Sequence, residues 1–263
     1  MNPKVLLLSF FLIFAQTTAF AQNLADVQKR GVLRVGFENN YPPFEMDGKD
    51  GDVGFDVEIA KGFARELGVK AEFFDIEWDN LLPSLDNGSV DMVISAMTIT
   101  TERREKADFS SPYFVSGQAI LLNRSKASAI KSFRDLNTPS VHIIEKQGTF
   151  ADGFVKTFFS KAKITVIDTK EDDIVNMVAN KQADVFVYDL PYLAIAALQD
   201  KERLSLIDIP FTYEPFGAAF KRGSTLKKPM DNYIAKIKAN GEYDKLYRYW
   251  FLSTDWLAQK AQK

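Results

Sequence analysis

LLPSLDNGSVDMVIS, residues 81–95, and IVNMVANKQADVFVY, residues 174–188, superpose at a constant offset of 93 residues without a gap. Each stretch has apolar residues at helical spacing, a polar turn with an asparagine, an aspartate (Asp91 or Asp184) and an alternating strand. A chance match of two helix-to-strand units is the alternative. The repeat favours two similar α/β lobes in one chain.

The sequence around the first copy supports this interpretation. GVLRVGF (31–37) has the pattern of a strand, and FDVEIAKGFARELG (55–68) places apolar residues four apart on one helical face. VKAEFFDI (69–76) is the next predicted strand. This alternation predicts a mostly parallel sheet with helices on both faces, and such open sheets bind ligands beyond the carboxyl ends of their strands.

Composition limits the possible functions. The 263 residues are 46% apolar and 26% charged with a net charge of −2, as in an ordinary globular protein, and nothing in this balance indicates a nucleic-acid partner. The chain has no cysteine, which excludes disulfides and thiol chemistry. Its lone histidine, His142, lies in the predicted strand VHIIE and is a poor candidate for a catalytic base.

Residues 1–21 have the features of a secretory signal peptide. Lys4 precedes the apolar run VLLLSFFLIFA, and Ala19-Phe20-Ala21 fits a small-x-small cleavage site. A membrane anchor is the alternative, but the run is shorter than the roughly 20 residues of a spanning helix. We therefore expect export to the periplasm, with a mature chain that begins near residue 22.

Two strand ends carry candidate ligand-binding groups. The first copy leads into hydroxyl residues and then Arg103 and Arg104, and the second leads into Asp189. A guanidinium can bind a carboxylate in a bidentate manner, and a carboxylate can pair with an ammonium group. Facing each other across a cleft, they would suit an α-amino acid. Surface ion pairs between the arginines and acidic residues 102–108 are the alternative.

A family resemblance favours the cleft. MTITTERREKADFSSPYF, YPPFE, GFDVEIAKGFARELG, QGT, YDLPY, EPFGAAFKRG and NGEYDKLYRYWF resemble, in order, segments of the periplasmic amino-acid-binding proteins of ABC importers, solute-binding protein family 3. The resemblance implies an α/β, two-lobed periplasmic-binding-protein fold of type II. Each lobe would hold a mostly parallel sheet flanked by helices, and two strands would form the hinge.

The resemblance also implies roles for individual residues. Arg103 corresponds to the arginine that holds the ligand α-carboxylate, whereas Arg104 would face solvent. Asp189 corresponds to the acceptor of the α-ammonium group. The other carboxylate contacts implied are the Thr98 hydroxyl, the Ser95 backbone and the amides of the second-lobe turn, Gly148 and Thr149.

Four further positions concern the ligand side chain. Tyr41 and Trp78 correspond to aromatic walls, although core packing is the commoner fate of aromatic residues. Glu38 occupies a position where relatives that bind basic amino acids often contact the distal cation, but a glutamate could also point outward. Ala96 departs from the Ser or Gly of many relatives. The missing hydroxyl at Ala96 weakens any inference about pocket polarity, whereas Glu38 and the aromatic faces favour a polar or basic ligand.

The family plan implies the chain order of the lobes. We expect residues 22–117 and 213–263 in the first lobe, residues 122–210 in the second, and hinge crossings at 118–121 and 209–213. Hinge closure would bury the ligand. The expected partners are a free amino acid and a membrane ABC permease, with no cofactor, no metal and no nucleic acid, and the protein is expected to be a monomer.

Catalysis is the principal alternative to binding. The sequence contains no G-x-S-x-G, no H-E-x-x-H and no glycine-rich phosphate loop. The same fold nevertheless includes exported cyclohexadienyl (arogenate or prephenate) dehydratases, which need only a general acid in a closed pocket, and Glu38 could take that part. Related domains also serve as sensors in front of other domains, which is a third possibility.

Overall fold

The computed structural model describes residues 23–259. The predicted signal peptide, 1–21, lies outside them. The α-helices of this part of the chain are α1 (Leu24–Arg30), α2 (Phe55–Glu66), α3 (Leu81–Asp86), α4 (Thr101–Lys106), α5 (Phe150–Phe158), α6 (Glu171–Ala179), α7 (Leu190–Gln199), α8 (Lys227–Ala239) and α9 (Glu242–Leu252). Short 3₁₀ turns add to these, including one at Trp78–Asn80 directly before α3.

The strands alternate with the helices along most of the chain. They are β1 (Val32–Phe37), β2 (Met46–Gly48), β3 (Gly51–Val53), β4 (Lys70–Asp75), β5 (Met92–Val93), β6 (Asp108–Phe109), β7 (Phe114–Ser116), β8 (Gln118–Asn123), β9 (His142–Lys146), β10 (Lys163–Ile167), β11 (Val185–Asp189), β12 (Leu204–Ile207), β13 (Glu214–Phe216) and β14 (Ala219–Phe220).

Two five-stranded sheets share one topology. Their strand orders are β4-β1-β5-β14-β6 and β10-β9-β11-β8-β12. In each sheet the first three strands are parallel, the fourth is antiparallel to its neighbours, and the fifth returns to the original direction. The predicted two-lobed α/β fold with mostly parallel sheets is confirmed.

The repeated aspartates have the same structural task in both lobes. Asp91 accepts a hydrogen bond from the backbone N of Arg34 at 2.8 Å, and its own N donates to the Arg34 carbonyl at 2.8 Å. Asp184 makes the same two contacts with His142, each at 2.9 Å. The aspartate therefore fixes one parallel strand of its sheet, β1 or β9, against the helix-to-strand turn that precedes β5 or β11.

The C-terminal helices complete the first lobe. Both α8 and α9 pack against α2, and Trp250 and Trp256 are buried there. Next to them, Phe251 makes ring contacts with Phe44 and Phe55 at centroid distances of 5.2 and 5.0 Å. This aromatic core fixes the loop that carries Tyr41 to the body of the lobe, because Phe44 follows Tyr41 by three residues.

A short antiparallel ribbon, β7 with β13, connects the lobes. Residues 118–121, predicted as a hinge crossing, instead lie in β8, whose six residues are all buried and which pairs with β11 and β12 on its two sides. The two connecting segments approach each other most closely at Gly117. A Cβ atom there would lie 2.5 Å from the Thr212 carbonyl oxygen and 2.9 Å from Pro210 Cβ, so the contact requires a glycine. The other segment, 209–213, lies between β12 and β13.

Candidate ligand-binding cleft

The carboxyl ends of the two sheets face a common, nearly closed cavity. Nine of the ten residues predicted for the site line it: Glu38, Tyr41, Trp78, Ser95, Ala96, Thr98, Arg103, Thr149 and Asp189. The tenth, Gly148, lies beside it, where its carbonyl accepts hydrogen bonds from Trp78 Nε1 at 3.0 Å and from an Arg103 terminal nitrogen at 3.3 Å. The structure therefore brings the predicted set together.

Arg103 lies in the first turn of α4, where its backbone N donates to the Thr100 hydroxyl that caps the helix. One terminal nitrogen donates to the Thr98 carbonyl at 2.9 Å, and the guanidinium carbon lies 5.1 Å from the centroid of the Trp78 ring. No described residue forms an ion pair with Arg103. Its charge is thus oriented by neutral groups and can bind an anion in the cavity. The neighbouring Arg104 is exposed.

Asp189, the last residue of β11, lies on the opposite wall. Its carboxylate accepts hydrogen bonds from the Tyr41 hydroxyl at 2.6 Å, from Gln118 Nε2 at 3.1 Å and from the Ser116 hydroxyl at 3.4 Å. Burial raises the pKa of Asp189 well above its usual value, and the nearby Glu214 raises it further. A cation in the cavity would offset this cost of burial and favour the ionised form.

Glu214 and Gln118 belong to the hinge side of the cavity and were missed in the sequence. Glu214 accepts hydrogen bonds from Thr212 at 2.5 Å, Gln118 at 3.0 Å and Thr98 at 3.3 Å. Burial raises its pKa as well. The segment EPFGAAF has no periodicity that indicates that its first residue, Glu214, faces the cavity.

A second charged cluster spans the cleft at Glu38. Lys146, the last residue of β9, makes ion pairs with Glu38 of the first lobe and, at 2.9 Å, with Glu171 of the second. The Tyr188 hydroxyl donates to Glu171 at 2.9 Å. Burial raises the pKa of Glu38, and Glu171 adds to the shift while Lys146 opposes it. Burial also opposes the charge of Lys146, but Glu171 and Glu38 outweigh it and raise the pKa of Lys146.

Several predicted polar groups are already engaged within the protein. The Ser95 hydroxyl donates to Glu45 at 2.7 Å and accepts from the backbone N of Glu38 at 3.0 Å. The Thr98 hydroxyl donates to Glu214, and the Thr149 hydroxyl donates to the Lys146 carbonyl at 2.9 Å. These hydroxyls position the walls of the cavity, so contacts of residues 95 and 149 with a ligand would fall to their backbone.

Ala96 has a left-handed backbone, with φ +44°. Its N donates to Asp56 at 2.7 Å, and the same oxygen of Asp56 accepts from the Tyr113 hydroxyl at 2.7 Å. Burial raises the pKa of Asp56 to about 7, and burial together with Asp56 raises that of Glu45. Glu45 of this pair lines the cavity, whereas Asp56 lies behind the lining and holds the turn at Ala96 in place.

The two aromatic residues predicted as walls have different surroundings. The Tyr41 ring stacks on Tyr192 at 4.9 Å and meets Tyr188 edge-on at 5.8 Å, both in the second lobe. Trp78 is half-buried and contacts Arg103. Tyr41 therefore joins the lobes directly through its ring and its hydroxyl, whereas Trp78 keeps a face near the cavity.

Among residues 23–259, no cluster of His, Asp and Glu could hold a metal ion. Nor does this part of the chain contain a helix with the length and apolar character needed to cross a membrane.

Two α/β lobes, a connecting ribbon and a cavity lined by charged groups from both sides define the class of two-lobed solute-binding proteins. The chain belongs to the bacterial extracellular solute-binding proteins, family 3, whose model matches residues 33–253. The predicted resemblance is confirmed.

Named relatives bind amino acids. The L-cystine-binding protein TcyJ of Escherichia coli (strain K12) is 31% identical over 230 residues, which are 87% of this chain and 85% of the relative. A putative ABC-transporter binding component from Wolinella succinogenes, solved with lysine, has a TM-score of 0.82 and 39% identity, covering 87% of this chain and 99% of its own. The ancestral amino-acid-binding protein AncCDT-1, described as a precursor of cyclohexadienyl dehydratase, has a TM-score of 0.80 and 40% identity over the same shares.

Proposed function

We propose that the protein binds a polar or basic α-amino acid between its lobes and delivers it to an ABC importer. The observation that carries the proposal is the position of Arg103 and Asp189 on opposite walls of one cavity, neither in an ion pair with a described residue. The guanidinium binds the α-carboxylate of the ligand and the carboxylate binds the α-ammonium group.

The charge of the cavity supports a basic side chain over an acidic one. Within residues 23–259, five carboxyl groups line the cavity, those of Glu38, Glu45, Glu171, Asp189 and Glu214. Among the same residues, the positive charges in or directly beside the cavity are those of Arg103, which lines it, and Lys146, which contacts Glu38. Burial raises the pKa of Glu38, Glu45, Asp189 and Glu214. A ligand with a net positive charge would favour the ionised forms of these groups, whereas an aspartate or glutamate ligand would oppose them. The lysine bound by the Wolinella succinogenes protein is consistent with this preference.

Contacts across the cleft support closure around the ligand. Tyr41 reaches Asp189, Trp78 reaches Gly148, and Asn40 Nδ2 donates to Asp172 at 2.9 Å. Each of these bonds joins the two lobes and would break on opening. The ligand adds its own bonds to both walls, so binding and closure favour each other.

The importer and the compartment follow from the family and from the predicted signal peptide. Family 3 is described as extracellular, and we propose that residues 1–21 direct the chain to the periplasm. The protein would act there as a monomer that presents its closed form to the permease.

A thermal-shift screen tests the proposal. The twenty amino acids, with citrulline, ornithine, opines and arogenate, are added to the mature protein. A ligand at 100 times its dissociation constant stabilises the folded state by about 2.7 kcal/mol. We expect shifts for arginine, lysine, histidine or glutamine, and none for aspartate. Absence of a shift with every amino acid would overturn the binding function.

Dehydration of arogenate or prephenate is the second candidate, because AncCDT-1, itself an amino-acid-binding protein, is described as a precursor of cyclohexadienyl dehydratase. The cavity contains carboxyl groups of raised pKa, Glu38 among them, that could act as a general acid. Incubation of the purified protein with either compound distinguishes the two functions. Appearance of phenylalanine or phenylpyruvate would establish the enzyme and refute a purely binding role.

A further inference from the structure

Glu38 and Lys146 occupy equivalent positions in the two lobes. Asp91 binds the backbone of Arg34 as Asp184 binds that of His142. Four residues after Arg34 and His142, the first lobe has Glu38, just beyond the end of β1, and the second has Lys146, the last residue of β9. The two strand ends therefore meet across the cleft with opposite charges.

Lys146 is almost completely enclosed. Its side chain is 3% exposed, and its ammonium group contacts Glu38 and Glu171, which are themselves 9% and 6% exposed. Both carboxylates line the ligand cavity. The three charges lie in one desolvated cluster, where each carboxylate has a strong effect on any further charge that enters.

This arrangement changes the expected role of Glu38. A lone carboxylate at that position would be available to the distal cation of a ligand. Here Glu38 is already paired, and its other oxygen accepts a hydrogen bond from the backbone N of Trp78 at 3.3 Å. The cluster as a whole retains one uncompensated negative charge, instead of the two that Glu38 and Glu171 would have without the lysine.

We propose that Lys146 is a specificity-determining residue, a built-in cation that neutralises part of the distal subsite and lets the cleft accept neutral polar side chains beside basic ones. The proposal rests on the amino-acid-binding function and deepens it. In the wild-type protein, a ligand cation near this cluster would be attracted by one net negative charge, because Lys146 compensates one of the two carboxylates. Removal of the lysine charge would expose both carboxylates, favouring basic ligands and penalising neutral ones.

Arginine and citrulline provide the test, because they have nearly the same shape and differ in the charge of the distal group. Their dissociation constants are measured by calorimetry, or by displacement of whichever amino acid binds best, for wild type and Lys146→Met. We expect the citrulline-to-arginine ratio of dissociation constants to rise at least about tenfold in the variant.

Lys156→Met is the matched control. Lys156 belongs to the same lobe, and its ion pair with Asp152 is largely exposed. It should leave the ratio unchanged. An unchanged ratio in folded Lys146→Met would overturn the proposal, whereas failure of the wild type to bind any amino acid would instead overturn the function on which it rests.

Two further variants keep the test informative. The double variant Lys146→Met/Glu38→Gln restores one net negative charge to the cluster, so its ratio should return towards that of wild type. If Lys146→Met does not fold, Glu38→Gln alone leaves Lys146 to compensate Glu171 fully, and the ratio should fall at least about threefold. A ratio unmoved by Glu38→Gln in that case would refute the proposal.

Discussion

The two lobes have the same framework and different strand ends. Asp91 and Asp184 hold β1 and β9, respectively, through the same pair of backbone hydrogen bonds. Beyond those strands the first lobe presents Glu38 and the Ser95-Ala96 turn, and the second presents Lys146 and Asp189. The repeated aspartates therefore maintain the fold, whereas the charged residues at the strand ends differ between the two lobes.

The difference is largest at the two groups that would bind the ends of an amino acid. Arg103→Ala should weaken binding by about 100-fold or more, because it removes charge-assisted hydrogen bonds of about 1.5–3 kcal/mol each. Arg104→Ala should leave affinity nearly unchanged, since Arg104 is exposed. Titration calorimetry measures both. Equal losses would show that the wrong arginine was chosen for the first lobe.

In the second lobe, Asp189→Asn should weaken binding by about 10- to 100-fold through loss of the charge that faces the ammonium group. A ligand analogue without the α-amino group completes a double-mutant cycle with Asp189→Asn. The affinity of this analogue should be the same for wild type and variant, which isolates the contact between Asp189 and the ammonium group. The melting temperature of the ligand-free variant is the control. Collapse of that transition would assign the loss to folding instead.

Substitutions of the two framework aspartates, Asp91 and Asp184, should change the free energy of unfolding by different amounts rather than change ligand affinity. The Asp91 side chain is 2% exposed and contacts Arg30 and Arg34, whereas Asp184 is 19% exposed and contacts Lys126. Urea unfolding should give a loss of about 2–3 kcal/mol for Asp91→Asn and about 1 kcal/mol for Asp184→Asn. A reversed order would mean that burial and the number of ion pairs do not determine how much each aspartate contributes to stability.

The pH dependence of stability should change through Asp56 in the first lobe. Its pKa rises from 3.8 to about 7 on burial, so between these values the folded state binds more protons than the unfolded state. Its contribution to stability is therefore complete at low pH and is lost as pH rises to about 7. Asp56→Asn should flatten this dependence by at most about 1.4 kcal/mol per pH unit.

Urea unfolding at several pH values between 4.5 and 7.5 measures the change in slope. Glu102→Gln, which alters an exposed carboxylate, serves as the control. If Asp56→Asn and wild type have the same slope in this range, the proton is held elsewhere in the carboxyl pair.

The fold and the position of the candidate cavity could be predicted because they depend on local patterns. The repeat of residues 81–95 defined two lobes, and the strand ends indicated where Arg103 and Asp189 would meet. The pairing of Lys146 with Glu38 could not be predicted, since it joins residues 108 apart in sequence and depends on how the lobes close. The hydrogen bonds from the Ser95 and Thr98 hydroxyls to buried glutamates could not be predicted for the same reason, since they too join residues far apart in sequence. The exact bounds of the hinge could not be predicted either, because residues 118–121 belong to β8, which pairs with β11 and β12 on its two sides.

Gly117 would affect the proposed closing motion. The two connecting segments cross so closely there that a methyl group would collide with the Thr212 carbonyl and with Pro210. An alanine at this position would act as a wedge, forcing the segments apart and changing the angle at which the lobes meet. Affinity would then depend on a residue that no ligand touches, because the cost of bringing the walls together would be set at the pivot.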